Sequence, residues 1–232
     1  MKQKKLHTAV RYALTGLTLF TTSLLVQAQE VTEETTEAKD LERIAVVGAR
    51  GAPRSVTSSP VPVDVLTAED VEAVAFTDMN NVLMTLVPSY SVGRQPISDG
   101  GTFIRPATLR GMPTDKTLVL VNSKRRHRAA LVSIGGSGTQ GPDIATIPTA
   151  AIQSVEVLRD GAAAQYGSDA IAGVINFQLK NNTEGGSFTA DYGSYYEGDG
   201  DQITVTGNKG FALGDDGFFS ISAEYSDSEA TF

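Results

Sequence analysis

The 232-residue sequence contains no cysteine and only two histidines. Without cysteine there are no disulfides and no thiolate metal sites, and the redox compartment stays open. His7 falls in an N-terminal leader and leaves His127 alone, so an imidazole-rich metal site is excluded. Positive charge is also scarce, with 19 Lys and Arg against 27 Asp and Glu for a formal charge of −8. A nucleic-acid partner requires clustered positive charge to displace phosphate counterions, which removes that function class. The chain also lacks a nucleophile–base–orienter set, a metal-ligand cluster and a phosphate loop. Gly135-Gly136-Ser137-Gly138 has neither the strand–helix context nor the lysine of a P-loop. The sequence therefore reads as a non-enzyme without a cofactor.

What is present begins with residues 1–28. Lys2, Lys4, Lys5 and Arg11 make a basic start, 12–26 is uncharged and mainly apolar or small, and Val26-Gln27-Ala28 ends on a small residue. This three-part pattern is that of a secretory signal peptide, with cleavage expected after Ala28. The apolar run falls short of the roughly 20 residues of a membrane-spanning helix. Removing four basic residues and no acidic one takes the formal charge from −8 to −12.

Residues 29–59 read as a flexible tether. The stretch 29–40 is polar and acidic and lacks the apolar periodicity that offsets chain entropy. Within 42–47, Ile44, Val46 and Val47 form a short β-prone run. Such a segment can add itself as a strand to a partner's sheet edge, or can be the first strand of the following domain. A Pro/Ser/Gly linker then leads to a domain at 60–180.

In that domain Val61, Val63 and Val65 alternate with polar or proline positions, which predicts an edge strand. Thr67, with Asp70 three residues on, predicts an N-cap for a helix over 68–75. Thr77 is positioned to cap a second helix over 78–86, which Pro88 ends. Strands are expected over 102–110, 118–121, 155–158 and 173–179, and the apolar run Leu118-Val119-Leu120-Val121 predicts burial on both faces. A helical turn over 162–166 ends at Gly167. The pattern is an α+β domain, a small mixed sheet with short helices, and its glycine-rich connections 93–101 and 134–141 are of the kind that carry function.

After Lys180 the texture changes. Phe188, Ala190 and Tyr192 alternate with polar residues, as do Ile203 and Val205, and then Phe219, Ile221, Ala223 and Tyr225. Glycine-acid turns separate these runs at 197–200 and 213–217. Segments of about ten residues, apolar on one face only, are the pattern of transmembrane barrel strands, and a soluble sandwich gives a similar one.

The block 147–180, IPTAAIQSVEVLRDGAAAQYGSDAIAGVINFQLK, resembles the C-terminal signature of the plug domain of TonB-dependent outer-membrane receptors. Leu109-Arg110-Gly111 and Leu118-Val119-Leu120-Val121-Asn122 resemble the family's earlier elements, in their proper order. Asp160-Gly161 and Asn122-Ser123 depart from the family's common Gly-Pro and Asp-Gly but keep turn-compatible residues.

The resemblance implies a plug followed by the first antiparallel strands of a transmembrane β-barrel over 181–232. It also implies residence in the cell outer membrane, against lipid, and energy-coupled uptake of an external small molecule or metal chelate such as a ferric siderophore. A free-standing periplasmic binding module is the alternative. The TonB protein is the implied partner, with Glu42, Ile44, Val46 and Val47 as the segment it engages. Arg110 and Arg159 match family arginines that pair with barrel-wall glutamates, and Glu156 is placed with them. Charge-assisted bidentate bonds orient a plug without making its attachment permanent. Arg94, Gln95, Arg105, His127, Arg128 and Gln140 lie in or beside the expected apical loops and are the candidate substrate contacts. The run Lys124–Arg128 reads either as a patch facing an anionic substrate or as a charged hairpin in a hydrated lumen. Gly111, Gly161, Gly167 and Gly173 read as structural turn or close-approach positions. About three strands cannot close a barrel, since the smallest need about eight. The plug is thus expected to fold, 187–232 to stay unsettled or prone to aggregate, and the chain to be unable to transport alone.

Overall fold

The computed structural model describes residues 44–45, 54–55, 62–74, 78–92, 104–132, 138–160, 162–196, 198–215 and 217–230. All of them belong to one compact unit, Leu41–Phe232. At its N-terminal side β1 (Ile44–Ala45) pairs antiparallel with β2 (Arg54–Ser55).

A five-stranded mixed sheet follows. It is built from β3 (Val63–Thr67), β6 (Thr117–Val121), β7 (Lys124–Arg125), β8 (Ile152–Leu158) and β9 (Gly173–Leu179), in the order β3-β8-β9-β6-β7. Only the β6–β9 pair is parallel. Alternation along β6 sends Leu118 and Leu120 to one face and Val119 to the other. The larger core cluster joins Val119, Val155, Val157, Ile175 and Phe177 to the helices, and the smaller gathers Val63, Val65, Leu118, Leu120, Leu158 and Val174. The continuous apolar run at 118–121 reflects this two-sided burial.

Helix α1 (Ala68–Glu72) opens with a capping box in which Thr67 and Asp70 satisfy each other's backbone amides. It ends at Glu72, three residues short of the sequence expectation. Helix α2 (Met79–Leu86) is capped by Asp78 rather than Thr77, because the Asp78 carboxylate accepts from the Asn80 amide at 3.0 Å. Of the strand expected over 102–110, the described residues 104–110 hold β5 (Thr108–Leu109), which pairs with β4 (Tyr90–Ser91). Pro106, without an N–H, forms only an isolated bridge to Asp143. A short helix α3 (Ala163–Tyr166) ends at Gly167, whose φ of +92° suits glycine.

The last elements, β10 (Gly186–Gly193), β11 (Gln202–Leu213) and β12 (Gly217–Ser228), form a three-stranded antiparallel meander. One face carries Phe188, Tyr192, Ile203, Phe211, Phe219, Ile221 and Tyr225, all exposed. The other carries Thr204, Thr206 and Asn208, all buried and hydrogen-bonded or packed toward the 3₁₀ turn Thr149–Ala151. Sequence reasoning expected 187–232 to be unsettled; in the structure 186–193, 202–213 and 217–228 are paired strands. Neighbouring strands pair through local contacts alone, and their polar face rests on the five-stranded unit. The described strands do not close into a barrel.

Candidate functional site

The basic run begins at a tight turn. Asn122 and Ser123 have φ of +48° and +63° between the paired residues Val121 and Lys124. A two-residue connection with both central φ positive matches the right-handed twist of the flanking strands. Asn122 Oδ1 accepts from the Leu179 amide at 2.8 Å, and Asn176 Oδ1 accepts from the Ser123 amide at 3.0 Å, so the turn is tied to β9.

Beyond it the arginines turn inward on the domain. Asp169 receives Arg125 at 2.8 Å and Arg128 at 3.0 Å, and Arg125 also donates to the Tyr166 carbonyl. Arg126 donates to the Asp143 carbonyl at 3.0 Å and to the Thr146 hydroxyl at 2.7 Å. These bonds brace the loops around a cavity of about 210 Å³ lined by His127, Arg128, Gln140, Thr114, Asp169 and their neighbours. His127, Arg128 and Gln140 therefore share one concavity, in which Arg125, Arg126 and Arg128 outnumber the carboxylates of Asp115 and Asp169. Gln140 itself donates to the Ala130 carbonyl at 3.3 Å. Among the described residues no set of three His, Cys, Asp or Glu is placed to hold a metal ion.

Arg105 is not in that cavity. It pairs with Asp78 at the start of α2, where Asp78 also caps the helix. Beside them Tyr90 donates to Asn80 Oδ1 at 2.6 Å, and burial, reinforced by the Asp78 charge, raises the Tyr90 pKa. Arg105, expected among the substrate contacts, is thus paired within the domain at the start of α2. Arg94 and Gln95 lie outside the described residues, as do Glu42, Val46, Val47 and Gly161. Ile44 is placed by its backbone in β1.

Arg110 and Arg159 converge at one end of the sheet. Arg110 donates to the Ile171 carbonyl at 3.0 Å and lies 3.5 Å from Asp160, the residue after Arg159. Arg159 Nε lies 2.8 Å from Asp64, off the line of a hydrogen bond. Both side chains remain partly open, 41% and 42% exposed. A positive φ of 57° at Arg110, followed by Gly111 at 67°, is the turn that aims this arginine. Glu156 does not join them. It is 2% exposed within β8 and accepts from Asn176 Nδ2 at 3.1 Å across the β8–β9 pair. A carboxylate so desolvated requires hydrogen bonds, so its place is inside the sheet rather than on an arginine-facing surface.

The five-stranded unit and the meander touch at residues that sequence reasoning did not single out. Glu224 Oε2 accepts from both the Thr149 amide, at 3.1 Å, and the Thr149 hydroxyl, at 3.3 Å. Asn182, in the segment linking β9 to β10, accepts from the Ser220 hydroxyl at 3.2 Å. Beside this contact a cavity of about 250 Å³ separates α1 from β10 and β11, lined by Val71, Glu72, Thr149, Thr189, Asp191 and Thr206. One signal for Glu224 was available in the sequence. It is the one carboxylate on the β12 face that also carries Ser220, Ser222, Ser226 and Ser228.

Residues 55–174, just over half of the chain, match the family model described as the TonB-dependent receptor plug domain. The chain belongs to the TonB-dependent receptor family. An iron-regulated outer membrane virulence protein of Vibrio cholerae is 31% identical to it over 167 residues, 72% of this chain and 23% of that protein. A probable TonB-dependent siderophore receptor, PirA, of Acinetobacter baumannii is 33% identical over 161 residues, 68% of this chain and 20% of that one. The crystal structure of the A. baumannii siderophore receptor PirA superposes with a TM-score of 0.56 at 28% identity, covering 72% of this chain and 25% of that chain. This TonB-dependent receptor sequence therefore spans about a fifth to a quarter of the length of the relatives it matches.

Proposed function

We propose that these residues carry the plug and first barrel strands of an outer-membrane receptor for energy-coupled uptake of a scarce nutrient, with a ferric siderophore or similar iron chelate as substrate. The observation that carries the reading is the two-faced meander. Its outward face exposes Phe188, Tyr192, Phe219, Ile221 and Tyr225 together, while its polar face meets the plug. A contiguous apolar face of this extent is costly in water and fits lipid. The 12-residue length of β11 and of β12 suits a tilted strand crossing the hydrocarbon layer, for which about 9–11 residues suffice. Names of the relatives, a siderophore receptor and an iron-regulated outer-membrane protein, favour an iron chelate.

In this reading the leader 1–28 is cleaved on export. TonB pairs with the 42–47 segment by adding its own backbone to the strand edge. Arg110 and Arg159, partly open at one end of the sheet, pair with acidic groups of the barrel wall. Substrate is received by the apical loops containing Arg94 and Gln95 and by the cavity of His127, Arg128 and Gln140. Ferric chelates are commonly anionic and oxygen-rich, which suits a net cationic concavity.

Fractionation of the natural host tests the reading. The product is expected in the outer membrane, and its deletion is expected to abolish uptake of a radiolabelled ferric siderophore. A soluble periplasmic product with unchanged iron uptake would instead make the chain a free-standing binding module.

A further inference from the structure

The segment 181–232 holds a single basic side chain, Lys209, while Asp and Glu recur along it. Lys209 stands on the outward face of β11. Alternation places it in the row of Ile203, Val205, Gly207, Phe211 and Leu213, and every other member of that row is apolar. Its register partners are Gly186 on β10 and Ile221 on β12. Gly186 brings no side chain, and a β-carbon there would come within 3.1 Å of Lys209 Cδ, so the lysine stem lies across the glycine. The ammonium lies over the Phe211 ring, 5.9 Å from its centroid, and Phe211 meets Phe219 with centroids 6.3 Å apart. Among the described residues the Lys209 side chain has no ion pair and no hydrogen bond.

Phe211 is nearer the β11–β12 turn than Lys209 is, so the ammonium leans toward that turn. The turn spans only 214–216, whereas 194–201 connect β10 to β11. Outer-membrane barrels have short turns on the periplasmic side and longer loops outside. On the barrel-wall reading of these strands, the lysine therefore points to the periplasmic headgroups. Lys209 precedes Leu213 by four residues. That is about 13 Å along the strand and roughly 9 Å in depth at a tilt near 45°. A charge left at that depth in hydrocarbon is unfavourable, and lysine relieves it by extending its ammonium to the interface. The group it meets there must be negative and must accept hydrogen bonds, since its three donors find no carboxylate among the described residues.

We infer that Lys209, with Gly186 under its stem and the Phe211–Phe219 pair beside its ammonium, binds the phosphate of an anionic phospholipid in the periplasmic leaflet. Phe211, Phe219 and Ile221 are each about half exposed and give the adjoining acyl chain an apolar bed. Net charge selects the headgroup. A zwitterionic lipid carries its own cation beside the phosphate and leaves the lysine uncompensated, whereas an anionic one neutralises it. The wall thus has a lipid preference at one position, which an apolar band alone does not provide.

Lipid titration of the detergent-purified receptor carrying this chain, read by native mass spectrometry, tests the site. Phosphatidylglycerol is the anionic probe and phosphatidylcholine the zwitterionic control. At limiting lipid the wild type is expected to hold one phosphatidylglycerol more than Lys209→Gln, with about a fivefold difference in affinity at that site. Phosphatidylcholine binding is expected to be unchanged. Lys209→Arg keeps the charge and is expected to restore the extra lipid, and added salt to narrow the difference. Phosphatidylglycerol with a photoreactive headgroup is expected to label the β11–β12 hairpin in the wild type and not in Lys209→Gln. Equal phosphatidylglycerol binding by the two proteins, or an equal loss of both lipids, would overturn the site. Self-association that depends on Lys209, with lipid binding unchanged, would give this face to a second copy and overturn it as well. A soluble periplasmic product would remove the barrel-wall reading, while an outer-membrane receptor indifferent to Lys209 would remove the lipid site alone.

Discussion

Asn176 stands directly opposite Glu156 in the β8–β9 pair, and with one side chain it donates to that buried carboxylate and accepts from the Ser123 amide. One residue thus joins the sheet interior to the β6–β7 turn. Asn176→Ala removes a partner from a carboxylate that is 2% exposed and orphans a turn amide. The expected loss is about 2–4 kcal/mol, read from the urea midpoint of the full chain. Asn176→Asp is expected to be worse, since it sets a second carboxylate against the first.

Tyr90 makes stability depend on high pH. Burial raises its folded pKa above the unfolded value near 10. The unfolded chain therefore loses its proton first as pH rises. The stability that Tyr90 contributes is fully present below about pH 10 and falls progressively above it. Tyr90→Phe is expected to cost about 1–2 kcal/mol at neutral pH through the unpaired Asn80, and to flatten the decline above pH 10. Unfolding curves of both proteins between pH 7 and 11 check the sign.

Two backbone positions pull in opposite directions. A β-carbon at Gly173 would overlap the Leu158 carbonyl and crowd Leu109, at a φ of +146°. Gly173→Ala is expected to cost about 3 kcal/mol or more. Ser123, at φ +63°, carries a side chain where glycine is easier. Ser123→Gly is expected to gain about 0.5–1 kcal/mol, seen as a rise in Tm.

Asp169 balances two arginines at the rim of the 210 Å³ cavity. Both pairs are half-exposed, so Asp169→Asn is expected to change stability by less than about 1 kcal/mol. The freed positive charge is expected to tighten binding of an anionic ferric chelate to the receptor carrying this chain, and more so at low salt. Unchanged affinity in a titration at two ionic strengths would separate this cavity from the substrate path.

Proline at Ile44 removes an amide from the segment proposed to pair with TonB. Ile44→Pro is expected to abolish energy-dependent uptake while leaving chelate binding to whole cells unchanged. Retained uptake would move the TonB-pairing segment elsewhere.

Much of the fold was legible because local chemistry and periodicity agree with it. The Thr67–Asp70 box, the Asn122-Ser123 turn, the run Leu118–Val121 and the alternation of β10 to β12 each declare their element from a few neighbouring residues. The misjudged positions were those where neighbours in space decide. Asp78 caps its helix while also receiving Arg105, and Pro106, without an N–H, stands outside β5. The burial of Glu156 against Asn176 was likewise not visible in the sequence, because the β8–β9 register that brings them together is a long-range pairing.

The sequence by itself determined the plug-and-strand organisation and the family, since a contiguous signature and strand periodicity are both short-range signals. Only the tertiary structure decided which charges are spent internally. Arg105, Arg125, Arg126 and Arg128 find acceptors from residues between 17 and 44 positions away, and Thr149 finds Glu224 at a separation of 75. An arginine or a glutamate carries the same charge wherever it stands. Whether it serves a ligand or the fold depends on the partner that chain crossing brings within reach, and that is a property of packing rather than of local sequence.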